Sequence, residues 1–90
     1  MDKIKAYEVL KNDGHEHVVF IEKKADYFLG KHSHDFEVDI IIVSGHLEIG
    51  LSNSNIILFP GSRFKLEKGE LHTERAGHEG VSFYSARPIE

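Results

Sequence analysis

The sequence predicts an all-β domain, a small antiparallel β-barrel preceded by one short α-helix. From residue 17 onward the chain divides into short runs rich in β-branched and aromatic residues, each bounded by glycine, proline, asparagine or serine. Ahead of those runs, residues 3–12 repeat their apolar positions three apart rather than two.

The elements follow in chain order. In KIKAYEVLKN, Ile4, Tyr7 and Leu10 make a narrow apolar stripe on a helix. Asp13 and Gly14 supply the stop, because glycine accepts the left-handed conformation of a helix C-cap. One domain is expected over 1–90, with the helix in 1–13 and the barrel in 17–86. The strand runs lie at 17–23, 27–32, 36–43, 46–51, 56–59, 63–66, 71–76 and 81–86. Between them stand the turn signals Ser44-Gly45, the SNSN stretch at 52–55, Pro60-Gly61, Lys68-Gly69 and the loop 77–80. Residues 40–43 are apolar at every position, so that strand is expected to be covered on both faces, by the helix or by a second subunit.

Composition excludes several function classes. The chain of 90 residues carries a formal net charge of −4 and no clustered basic run, which argues against nucleic acid as a partner. It has no cysteine, so disulfides, thiolate metal sites and cysteine nucleophiles are all absent. No apolar stretch approaches the roughly 20 residues of a membrane helix. Residues 1–14 show no apolar h-region of a secretory signal, so a cytoplasmic location is expected. A core this small makes a homodimer a natural expectation. Seven histidines is a high count, and histidine is the commonest metal ligand.

The informative segment is GKHSHDFE at 30–37. On a strand, side chains two apart share a face, so His32 and His34 can lean toward one point. That spacing alone is weak, since His15-Glu16-His17 repeats it. The second piece is EKGELH at 67–72, which places His72 thirty-eight positions after His34 on another expected strand. Three neutral imidazoles converging from two strands would leave one or more coordination positions open for water or substrate. The plainer alternative is three surface or hydrogen-bonded core histidines.

Here the chain resembles the cupin superfamily over most of its length. The first cupin motif runs G-x5-H-x-H-x3,4-E-x6-G, and His32, His34 and Gly45 match it in spacing. The second is answered by Gly61-x5-Glu67-x-Gly69-x2-His72. The order is closer still to short single-domain cupins that carry H-x-H-x-F-[DE], P-G-x-x-F and H-x-E-R-x-G-x-E-G. Those correspond here to residues 32–37, 60–64 and 72–80. The resemblance implies a jelly-roll-like barrel, one divalent metal ion held by His32, His34 and His72, and a homodimer. It leaves the chemistry open, because this scaffold hosts many activities.

The departures concern the fourth ligand. Val38 stands where the first motif has glutamate, Gly30 sits only two before His32, and Glu67 and Ala76 replace a proline and an asparagine. By strand parity His32, His34 and Val38 share a face and Glu37 points away, so Glu37 reaches a metal only through a β-bulge. Glu74, two after His72, faces the same interior as His72 and is the favoured alternative. Either carboxylate serves as fourth ligand or as general acid–base. Buried without a cation, it would cost several kcal/mol, which Arg63 or Arg75 could offset. His15, His17, His46 and His78 are expected at turns and rims.

Three functions follow from these residues. One is a metal-dependent enzyme acting on a small molecule, with iron, nickel, zinc or manganese as the metal, since imidazole suits several metals and the ligand set does not choose among them. Another is a non-catalytic module or sensor binding metal or a small molecule. The last is a purely structural metal.

Overall fold

The computed structural model describes residues 1–87. Helix α1 (Lys3–Asn12) starts at Asp2, whose Oδ1 accepts from the backbone N–H groups of Ile4 at 2.8 Å and Lys5 at 3.1 Å. Two of the four free donors of the first turn are satisfied in this way. Gly14 ends the helix at φ 94°, its N–H donating to the Lys11 carbonyl. The buried face differs from the expected stripe. Ala6 and Leu10, one turn apart, are buried, whereas Ile4 is 70% exposed and Tyr7 only meets Tyr84 edge-on at 5.6 Å. A small side chain at position 6 lets the helix backbone approach the sheet, which turns the contact face away from Ile4.

Six antiparallel strands follow: β1 (Val18–Lys23), β2 (Phe28–His32), β3 (Val38–Gly50), β4 (Asn55–Leu58), β5 (Arg63–Leu66) and β6 (His72–Ala86). Strands β3 and β6 each fuse two of the expected runs. The glycines that read as turns are bends inside continuous strands. Gly45 and Gly80 have φ of 70° and 79°, and a Cβ on Gly45 would stand 2.1 Å from the Gly80 carbonyl oxygen. The β3–β6 register shifts on both sides of this contact. Glycine at both positions lets the two strands turn a corner together without ending their pairing.

The corner divides the sheet into two facing layers. In the first, β1 and residues 39–45 of β3 flank residues 81–86 of β6, and β5 pairs with residues 38–41 of β3. In the second, β2 and residues 47–50 of β3 flank the start of β6, and β4 pairs with β3. Between them Val38, Ile40, Ile42, Leu66 and Phe83 of the first layer meet Leu47, Ile49, Leu58 and Ala76 of the second. On the outer side of the first layer, Ala6 and Leu10 cover Ile41, Tyr84 and Ala86. Residues 40–42 are thus buried on both faces, and α1 supplies the outer cover. Among the described residues the pairing order β1-β6-β3-β4 does not return on itself, so the expected barrel is an open one. None of their helices is long and apolar enough to cross a membrane.

Candidate metal centre

The pairing of β2 with β6 sets His32 directly opposite His72. Their ring centroids lie 4.2 Å apart. His34 lies beyond the end of β2 in the loop to β3 rather than on a strand. Its carbonyl accepts from the Gly69 N–H at 2.8 Å, which ties that loop to the turn before β6. Phe36 stacks on the His34 ring with centroids 5.5 Å apart. The His34 ring is then 5.2 Å from His32 and 5.5 Å from His72. Glu74 shares the inward face of β6 with His72, and its Oε2 lies 3.2 Å from Nε2 of both His32 and His72. One ligand atom from each of His32, His34, His72 and Glu74 falls within 4.8 Å of the others.

Second partners fix how the rings present themselves. Nδ1 of His32 is 2.7 Å from the Gly30 carbonyl, and Nδ1 of His72 is 3.0 Å from the Glu70 carbonyl. A carbonyl only accepts, so each Nδ1 carries the hydrogen and donates it, and in the neutral ring each Nε2 keeps a lone pair. Those two lone pairs face Glu74 Oε2, which is also an acceptor. Such a contact is repulsive unless a proton or a cation lies among the three atoms. His72 is only 1% exposed, so water is a poor remedy there. Burial, then the neighbouring charges of His32 and His72, hold the His34 imidazole below its ordinary pKa against the opposing pull of Glu74. That keeps His34 in the neutral form a metal requires. The donor set therefore suits a divalent cation.

The cluster opens on a cavity of about 240 Å³ walled by Ile21, Tyr27, Leu29, Ile40, Leu66 and Phe83. Val38, where the motif has glutamate, also lines it. Glu37 does not join the cluster. It points to another hollow beside His15 and His17, with Lys65 at 3.8 Å. Residues 33–37 belong to no strand, so the bulge that would re-aim Glu37 does not arise, and its side chain goes to the other hollow.

Neither arginine expected near these carboxylates approaches Glu74. Arg63 binds Asp39 and Asp13, and Arg75 lies over the Phe28 ring at 4.7 Å. His17 and His78 are exposed and His46 packs on Phe59, but His15 departs from the expected rim role by bonding the buried Asp39 at 3.0 Å. Among the polar lining residues, Lys23, Ser85 and Arg87 were missed in the sequence, and the last two share a face with Phe83. Ser85 and Arg87 follow Phe83 at two-residue spacing, the signal that points to them in the sequence.

No family model and no curated protein matches the chain. Solved structures do. A cupin-2 domain protein from Shewanella frigidimarina superposes with a TM-score of 0.68 at 22% identity, covering 79% of this chain and 69% of that one. KdgF from Halomonas sp. gives 0.69 at 19% identity, covering 81% and 68%. The polyketide cyclase RemF from Streptomyces resistomycificus gives 0.70 at 22% identity, covering 89% of this chain but only 60% of the cyclase. At these identities the likeness concerns architecture, and it agrees with the strand order, the bent β3–β6 pair and the facing layers. The chain has the cupin fold.

Proposed function

We propose that this protein binds one divalent metal ion through His32, His34 and His72, with Glu74 as the fourth ligand, and acts as an enzyme on a small molecule held in the adjoining cavity. The observation that carries this reading is the convergence of those four ligand atoms within 4.8 Å at the wall of an apolar cavity. Imidazole and carboxylate donors suit iron, nickel, zinc or manganese. When bound, such an ion supplies Lewis-acid polarisation or an acidified water.

The remaining work falls to the chain. The carbonyls of Gly30 and Glu70 hold two rings in the tautomer that offers Nε2. Ile40, Leu66 and Phe83 keep water from the reacting groups. Glu74 Oε2, where it is not engaged by the cation, can take or return a proton. A cupin-fold neighbour that is a polyketide cyclase gives the catalytic reading some support. Homodimerisation belongs to the same reading, supported by the small core.

Zinc titration of metal-free protein, followed calorimetrically, tests the proposal. Saturation near one equivalent is expected, with turnover of a small-molecule substrate appearing only in the loaded protein. Ligand-dependent stabilisation without turnover would place the protein among binding modules instead. Unfolding on chelation would assign the metal a structural role.

A further inference from the structure

The wall of the cavity contains a guanidinium that the candidate metal ligands do not use. Arg87 follows β6 and lies between two hollows, lining the cavity together with His32, His34 and Glu74 and the other hollow together with Glu37. One terminal nitrogen donates to Ser85 Oγ at 3.1 Å, while the buried Nε has no hydrogen-bond partner among the described residues. Nor does any carboxylate among them come within ion-pair distance of it. Arg63, by contrast, is matched by two aspartates. A buried donor left unmatched is costly, and a guanidinium fork fits a carboxylate edge-on.

The charge around the cavity has the same bias. Lys23 also lines it, and its single lining carboxylate, Glu74, is already engaged by His32 and His72. The lining therefore carries two cationic side chains, Lys23 and Arg87, on otherwise largely apolar walls, before any metal is counted.

We propose that Arg87 anchors the carboxylate of a small organic acid whose apolar body lies against Ile40, Leu66 and Phe83. This deepens the reading of the cavity as a ligand site by naming the ligand class, a small monocarboxylate. It does not depend on the metal.

Benzoate and its neutral counterpart benzamide serve as probes in isothermal titration calorimetry, on metal-free and zinc-loaded protein. Metal-free wild type is expected to bind benzoate roughly tenfold or more tightly than benzamide. Arg87→Gln should abolish that preference, and Arg87→Lys should keep only part of it, having the charge without the fork. Circular dichroism checks that each variant folds, and the wild-type comparison needs no variant. Equal binding of the two probes by wild type, or an undiminished preference in Arg87→Gln, would overturn the proposal. Failure to bind zinc with the benzoate preference intact would sink the metal reading alone. Zinc binding with the preference unaffected by Arg87→Gln would sink the anchor alone.

Discussion

One histidine–carboxylate cluster among the described residues lies at the end of α1 and another in the cavity, and they differ in where the positive charge comes from. At the helix end, Arg63 grips Asp39 with Nε at 3.0 Å and a terminal nitrogen at 2.7 Å, while His15 Nε2 adds a contact at 3.0 Å. Burial pushes the Asp39 carboxyl up, but the hydrogen bonds and charges of Arg63 and His15 outweigh it and hold the group below its ordinary pKa. Asp13 shares the same guanidinium. Every charge there has a partner within the chain, so the cluster fastens the helix end to β3 and β5.

In the cavity, Glu74 is faced by two imidazoles whose hydrogens are committed to backbone carbonyls, and no arginine pairs with it among the described residues. The first cluster is matched by the chain's own arginine, whereas the second consists of donors that could hold a metal ion.

Variants can break this contrast. The largest effect is expected from His72→Ala, which should weaken zinc binding by roughly 100-fold or more, since even outer partners of metal ligands are worth 10–100-fold. Calorimetry reads the affinity and circular dichroism confirms the fold. Arg63→Met should do the opposite. It leaves a 2% exposed aspartate without its main cation, so urea denaturation should show a loss of about 3 kcal/mol, with zinc stoichiometry unchanged.

A finer comparison concerns the two carboxylates. Glu74→Gln keeps the shape but removes the charge, and zinc affinity should fall about 10- to 100-fold. Glu37→Gln, on the far side of β3, should leave it unchanged.

The smallest effect is in acid. The folded Asp39 pKa lies below the ordinary value, so its contribution is complete above that value and is lost as pH falls through the lower, folded one. The stability gap between wild type and Asp39→Asn should therefore narrow below about pH 4, as followed by urea denaturation at successive pH values.

How much of this was legible in the sequence depended on whether a feature lay within one strand. Glu74 was placed beside His72 by parity because both sit on the regular start of β6. Spacing alone does not group His32 with His72; the order of motifs shared with the cupins does. The expected run ends at His32, as β2 does, but counting parity on to His34 treats 32–34 as extended strand, whereas His34 reaches the cluster from the loop. The fusion of the runs in β3 and β6 was illegible because Gly45 and Gly80 carry an ordinary turn signal, and only their mutual approach makes them a corner. Asp39, Arg63 and His15 come from β3, β5 and the segment after α1, so no local pattern joins them. Arg87 lies beyond the Gly80 bend from Glu74, where parity counted from His72 no longer holds.

The most direct test is elemental analysis of protein purified without a metal-affinity tag, run beside the His32→Ala/His72→Ala double variant. Wild type should carry roughly one equivalent of a divalent metal, and the variant, still folded, almost none. Equal metal content in the two would contradict a cation held among residues 32, 34, 72 and 74.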